Sequence, residues 1–192
     1  STGHGFCGLS RKRLLQIFHD RCRDLGVTLR FQEEVTDLAP HLSADLVVAA
    51  DGVHSAIRAA RVDRFRPTIV SGRCRFAWLG TTKPLTAFTF VFKANEHGLF
   101  AVHAYPFEPN LSTWIVECRE ETWKRAGLDR ATEAETVAYV GKLFAEHLDG
   151  HRLLTNRSVW RVFPEIRCER WSDGNVVLLG DAVHTAHFSI GS

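Results

Sequence analysis

Methionine is absent from the 192 residues, tyrosine occurs only twice, and the formal charge is only +2. No apolar run approaches the roughly 20 residues needed to cross a bilayer, and no charged-then-apolar leader opens the chain. The near-balance of charge removes the usual reason to expect nucleic acid or an anionic membrane as a partner. The five cysteines, Cys7, Cys22, Cys74, Cys118 and Cys168, are odd in number and scattered, without a C-x-x-C pair. That pattern argues against a disulfide framework and a zinc site, and for a reducing, cytoplasmic setting. His184-x-x-His187 offers two metal ligands with no third acid nearby, so no metal is expected. Internal repeats and low-complexity segments are lacking too. The missing starting residue, and an end at Gly191-Ser192 where the pattern calls for a helix to begin, lead to the expectation that this is an internal piece of a longer protein.

What is present suits a globular protein: 45% hydrophobic and 24% charged residues, at a length able to bury a core. The chain is organised around its closing stretch, Asn175-Val-Val-Leu-Leu-Gly-Asp-Ala-Val-His-Thr-Ala-His-Phe-Ser-Ile-Gly191. Val176 to Leu179 reads as a strand buried on both faces, and Gly180 ends it. Asp181 then stands at the strand's carboxyl end, where open α/β folds bind ligands and where an acid can accept hydrogen bonds from sugar hydroxyls. The plain alternative is a buried strand ending at a capped helix. A second strand-to-turn unit lies upstream in Ala44-Asp-Leu-Val-Val-Ala-Ala-Asp-Gly-Val-His-Ser-Ala-Ile-Arg58. Leu46 to Ala50 forms its strand, Asp51-Gly52 its turn, and Ser55-Ala-Ile-Arg58 begins a helix. An acid, a permissive glycine, a hydroxyl and a guanidinium thus share one strand-to-helix turn. Such a turn suits phosphate oxygens, with Arg58 as a bidentate donor; a purely structural turn with an internal Asp–Arg pair is the other reading.

Elsewhere the pattern is easier to place than to interpret. Gly3-His-Gly-Phe-Cys-Gly8 matches G-x-G-x-x-G, with Glu33 and Glu34 about where a ribose-binding acid would stand. The fingerprint needs a strand before it, and only Ser1 and Thr2 precede it. Ser10 reads as an N-cap for a helix over Arg11 to Leu25, carrying Leu14, Leu15, Phe18 and Cys22 at helical spacing. Arg11 to Arg13 sit unfavourably against its dipole, which a phosphate would relieve; a solvated basic face is the duller account. Val27 to Leu38 reads as two short strands or a hairpin. Arg61, Arg64 and Arg66 mark a charged connector. Residues 68–119 then turn rich in Phe, Val, Thr and Trp, and alternate as antiparallel strands over Thr68–Trp78, Leu85–Lys93, Leu99–Tyr105 and Ser112–Glu117. Their aromatic residues either line a flat pocket or form core, and His97, His103 and Tyr105 read as hydrogen-bonded structural groups. Helices are expected over Glu121–Leu128 and Thr132–Leu148, and extended chain over Val159–Arg170.

Asp51-Gly52-x-x-Ser55-x-x-Arg58 resembles the D-G-x-x-S-x-x-R motif of the FAD-dependent aromatic hydroxylases (group A flavoprotein monooxygenases), and Gly180-Asp181 resembles their second FAD-contacting motif. Arg11-x-x-Leu14 is similar to the helix start at which that family places a cofactor-contacting arginine. Gly3 to Arg13 and His187 to Gly191 look most like the branch of salicylyl-CoA 5-hydroxylase and 2-aminobenzoyl-CoA monooxygenase. His187-Phe188 stands where most of the family has two prolines, which weakens assignment to the simple phenol hydroxylases. The resemblance implies an α/β (α+β) fold: a partial FAD/NAD(P)-binding Rossmann-like domain interrupted by an antiparallel β-sheet substrate domain. Its parts would be residues 1–66, the first part of the FAD-binding domain with the upstream βαβ missing, 67–170, the substrate sheet with helices, and 171–192, the return to the FAD-binding domain. It implies hydroxylation of a small aromatic acid, carried as its CoA thioester, using FAD, NAD(P)H and O2. Arg11, Asp51, Gly52, Ser55, Arg58, Gly180 and Asp181 would bind the cofactor; no catalytic residue is assigned. A reductase or halogenase of the same fold, or a nucleotide-binding module without turnover, remains an alternative. The substrate's ring, the choice between NADH and NADPH and the oligomeric state are not readable from these residues.

Overall fold

The computed structural model describes residues 8–186. In chain order the elements are α1 (Arg11–Asp24), β1 (Val47–Ala49), α2 (Ala56–Ala60), α3 (Val62–Phe65), β2 (Pro67–Thr81), β3 (Thr89–Asn95), β4 (Gly98–Ala104), β5 (Pro106–Glu108) and β6 (Leu111–Arg119). There follow α4 (Glu120–Arg125), α5 (Glu133–Leu143), α6 (Ala145–Leu148), β7 (Leu153–Leu154), β8 (Arg161–Cys168), β9 (Ser172–Asp173) and β10 (Val176–Leu178). Short 3-10 turns occupy Ala39–His41 and Gly180–Ala182. The mixed helix and strand content is the α+β class expected. The chain forms two compact units: a larger one of Ser1–Leu29 with Arg73–Val162, and a smaller one of Arg30–Gly72 with Phe163–Ser192. The break between Gly72 and Arg73 lies inside β2, and that between Val162 and Phe163 inside β8.

In the larger unit an antiparallel sheet runs β3-β4-β6-β2-β7, with β5 paired to β6. Alternation decides its faces. Register sets Ala77 opposite Val116, Leu79 opposite Trp114, and Phe100 opposite Cys118. All of these are buried, and they form one core with Val140, Phe144 and Leu148 from α5 and α6. Trp114 meets Phe144 edge-on at 6.0 Å, an arrangement that aromatic quadrupoles favour. The β3–β4 hairpin turns through Glu96-His97, with Asn95 opposite Gly98 and the His97 amide donating to Asn95 Oδ1 at 3.0 Å. The helix expected over Thr132–Leu148 is broken into α5 and α6 at Phe144, whose φ of −108° and ψ of 19° leave the helical range. Ser10 caps α1 as expected, its side chain accepting from the Arg13 amide.

The smaller unit holds a three-stranded sheet, β1-β10-β9. β1 and β10 are parallel, with Val47 opposite Val176 and Ala49 opposite Leu178. Asn175 fixes that register: its Nδ2 donates to the Leu42 and Ala44 carbonyls at 3.1 and 2.7 Å, and its own carbonyl accepts from the Val47 amide at 2.9 Å. Ala49, Ile57, Phe65, Ile166, Val176, Leu178 and Val183 pack as its core. One expectation fails here and in the adjoining residues. Val27 to Leu38 contains no strand, and Val27, Phe31 and Val35 are exposed. A strand must pair its backbone N–H and C=O groups along a neighbour, and among the described residues none pairs with this segment.

Candidate functional site

The site is built at the carboxyl ends of two parallel strands. Ala49 opposite Leu178 sets the pairing, and the Leu179 amide donates to the Ala49 carbonyl at 2.9 Å. Both chains then turn in the same place, one through Asp51-Gly52 and the other through Gly180-Asp181. Gly52 and Gly180 adopt φ of +82° and +61°, and a Cβ on either would meet nothing within 4 Å. Glycine is therefore favoured by backbone conformation, and both turns leave room beside the main chain. Asp51 and Asp181 are exposed.

After the first turn the motif's polar groups organise the short helix α2. The Ser55 hydroxyl accepts from the Arg58 amide at 2.9 Å as the N-cap, and Asp51 Oδ2 accepts from the Ile57 amide at 3.3 Å. These bonds satisfy orphan donors of the first turn. Arg58 is only 4% exposed. Its Nη1 donates to the Ala182 carbonyl at 2.8 Å and its Nη2 to the Val53 carbonyl at 2.6 Å. The guanidinium thus ties the Asp51-Gly52 turn to the Gly180-Asp181 turn from inside the protein. Burial pushes the Cys168 thiol up, opposed in part by the Arg58 charge. Thr185 pins the second turn from below, donating to the Pro164 carbonyl at 2.7 Å and accepting from the Ile166 amide at 2.8 Å.

A cavity of about 560 Å³ opens along β1, and Glu33, Glu34, His41, Asp51 and His54 are the polar residues among those lining it. Gly180 and Asp181 do not line it. Arg61 and Arg66 bond acids of their own unit, Asp173 at 2.7 Å and Glu169 at 3.4 Å.

Of the residues picked out from sequence, Asp51, Gly52, Ser55, Arg58, Gly180 and Asp181 are brought together in the smaller unit. Arg11 is exposed at the start of α1 and belongs to the larger unit. Gly3, Gly5, and the His187 to Gly191 stretch lie outside the described residues. Gly8 packs so tightly on β5 that a Cβ there would strike the Pro106 carbonyl oxygen, a packing reason for the last glycine of that run. Sequence reasoning missed the Arg58–Ala182 tie, whose only signal was an arginine with apolar neighbours, and it missed the role of Asn175. Among the described residues no group of three His, Cys, Asp or Glu could hold a metal, and no helix is long and apolar enough to cross a membrane.

The sequence model described as FAD binding domain matches residues 6–191. A salicyloyl-CoA 5-hydroxylase from Streptomyces is 43% identical over 99% of this chain and 38% of its own length. The protodeoxyviolaceinate monooxygenase of Chromobacterium violaceum is 37% identical over all of this chain and 52% of its own. A 3-hydroxy-4-methyl-anthranilyl-[aryl-carrier protein] 5-monooxygenase from Streptosporangium sibiricum is 40% identical over 96% and 48%. The chain therefore spans about half or less of the length of these relatives. Among solved structures, tetrameric 2-methyl-3-hydroxypyridine-5-carboxylic acid oxygenase superposes with a TM-score of 0.69 at 17% identity, over 92% of this chain and 51% of that one. At that identity the likeness speaks for the fold.

Proposed function

The chain belongs to the FAD binding domain family, and from that membership we propose that it forms part of an FAD-dependent monooxygenase that hydroxylates an aromatic substrate using NAD(P)H and O2. The observation that carries the reading is the pair of glycine turns, Asp51-Gly52 and Gly180-Asp181, opening side by side at the ends of β1 and β10. Open space at both glycines lets a planar or sugar-like group approach the backbone closely, and the exposed carboxylates of Asp51 and Asp181 accept from hydroxyls. These acceptors thus fit the hydroxyl-rich part of FAD. Ser55 and Arg58 act through the turn, by capping α2 and tying the two loops together. Arg11 is assigned to the cofactor's phosphates, as the cation of a helix start that lacks any acidic residue. When bound, the flavin supplies the redox chemistry and the activated oxygen; the protein's share is to bind, orient and exclude water.

The substrate we assign is a small aromatic acid carrying a hydroxyl or amino donor, presented as its CoA thioester. Relatives named for a CoA-linked and a carrier-linked substrate support a thioester handle. Such a handle would orient the ring through contacts remote from the reacting carbon. The free thiols of Cys22, Cys74, Cys118 and Cys168 support a reducing compartment.

The cofactor test is direct: the full-length enzyme should purify yellow or take up FAD, and a protein that binds NAD(P)H tightly but never FAD would overturn the reading. The substrate test compares NAD(P)H oxidation and product formation for 2-hydroxy- and 2-aminobenzoyl-CoA against the free acids. Equal efficiency with the free acids would remove the thioester and leave the flavin.

A further inference from the structure

The larger unit's sheet has a second face, turned away from α5 and α6, on which Phe90 and Phe92 of β3, Leu99 of β4 and Trp78 of β2 are exposed. Across this apolar face runs a polar diagonal. Register places Glu117 of β6 opposite Ala101 of β4 and Phe76 of β2, so His103 and Cys74 are its diagonal neighbours. His103 Nε2 lies 3.8 Å from Glu117 Oε2, with side-chain exposures of 8% and 14%. Cys74 stands on the other side of the same carboxylate, diagonal to it in the β2–β6 register. Phe90 sets its ring edge-on to the imidazole at 4.9 Å, and Phe88 stacks on Tyr105 at 5.3 Å.

An ionisable pair so nearly buried adds little to folding stability. Apolar side chains of like volume would often serve the fold as well or better. Such pairs, beside an exposed aromatic surface, are where proton-handling groups are found. Resting on the monooxygenase reading above, we propose that His103, held and charge-balanced by Glu117, takes the proton from a phenolic hydroxyl of the substrate lying against Phe90 and Phe92. The O–H bond breaks, its electron pair stays on oxygen, and a new N–H bond forms on the imidazole. The imidazolium is offset by the Glu117 carboxylate, and the phenolate feeds electron density into the ring that is to be oxygenated. Among the described residues the other titratable and charged groups on this side are Cys74 on β2, Arg119 on β6, Tyr105 after β4, and Glu121 in α4, whose charge reaches Cys74. Burial and the neighbouring Glu117 both push the Cys74 thiol up, so it stays neutral beside the carboxylate.

The test uses the FAD-loaded enzyme with 2-hydroxybenzoyl-CoA, and with 2-hydroxybenzoate as a second probe, following the absorbance of the bound phenolate against pH. The wild type should ionise the bound probe at lower pH than free solution does. His103→Gln should move that ionisation up by about one pH unit or more, with FAD content unchanged. Glu117→Gln should move it the same way by less, because it removes the charge that favours the imidazolium. Should His103→Gln fold poorly, the Glu117→Gln titration decides alone. An ionisation that stays put in the variants while the probe still binds overturns the assignment. An enzyme that takes up no FAD overturns the monooxygenase reading and this role with it; one that takes up FAD and binds neither probe overturns this role alone.

Discussion

The two units leave strands of different kinds open to solvent. In the larger unit Trp114 is 1% exposed, and Phe100 and Phe144 are wholly buried, because α5 and α6 cover one face of its sheet. In the smaller unit Val48 on β1 and Leu179 just past β10 remain 49% and 54% exposed, where the two strands run parallel. Parallel strands are ordinarily covered on both faces. The larger unit thus covers one face of an antiparallel sheet, whereas among the described residues the smaller one, where the glycine turns lie, leaves apolar side chains of parallel strands open. Stability in the smaller unit is therefore the more open to whatever binds it, since a ligand that binds only the folded form adds to folding free energy by mass action.

The sharpest way to break this comparison is to hollow out each unit in turn. Trp114→Ala should cost about 3–5 kcal/mol, the usual range for a large aromatic removed from a core. Val48→Ala, on the exposed side of β1, should cost well under about 1 kcal/mol. Urea unfolding followed by circular dichroism measures both, and equal losses would erase the distinction.

Cofactor binding sharpens the same contrast. FAD at about 100 times its Kd would add about 2.7 kcal/mol to the form that binds it. That protection should appear in hydrogen exchange at the β1 and β10 amides and be weaker at β4 and β6. Asp181→Ala should weaken FAD by about ten- to a hundredfold, the range for losing a hydrogen bond to a charged group. In the 192-residue chain by itself, with much of β1 uncovered, FAD should bind weakly and a dye for apolar surface should bind well. Full-strength FAD binding by that chain would contradict the argument.

Arg58→Gln tests whether the two turns act as one. Losing the charged tie between Val53 and Ala182 should cost about 1–3 kcal/mol, because a buried carbonyl without a partner is expensive. It should also loosen FAD without removing either carboxylate. An unchanged FAD affinity alongside lowered stability would make Arg58 a folding residue only.

The turns were legible because each is written locally. Asp51-Gly52 and Gly180-Asp181 follow short apolar runs, and a positive φ favours glycine whatever surrounds it. The antiparallel strands were legible for the same reason, through the alternation of Phe88 to Phe92. Relations between distant residues were not. The sequence offers no sign that Arg58 reaches across to Ala182, that Asn175 sets the β1–β10 register, or that Glu117 stands between His103 and Cys74, since each depends on strand pairing. The segment Val27 to Leu38 misled for the converse reason. It has the composition of strands, but composition supplies no partner to complete a ladder.

The smallest effect concerns the helices that cap differently in the two units. In the smaller unit α2 is capped by the neutral Ser55 hydroxyl, with Asp51 as a second acceptor. In the larger unit α5 begins with a capping box. The Thr132 amide and hydroxyl both donate to Glu135 Oε2 at 2.8 Å, and the Glu135 amide donates back to the Thr132 hydroxyl at 3.2 Å. The backbone bond from Thr132, then the one from its side chain, hold the Glu135 carboxyl below its ordinary value of 4.5. A carboxyl lowered in the folded state stabilises fully above its unfolded value, and that contribution is lost as pH falls through the folded one. Glutamine at this position can still accept from the Thr132 amide but does not titrate. Glu135→Gln should therefore leave stability at neutral pH nearly unchanged and remove a small part of the decline on acidification. Paired urea titrations at neutral pH and at about pH 3 measure the difference between wild type and variant. A difference of the same size at both would show that the ionised carboxylate contributes nothing to the cap.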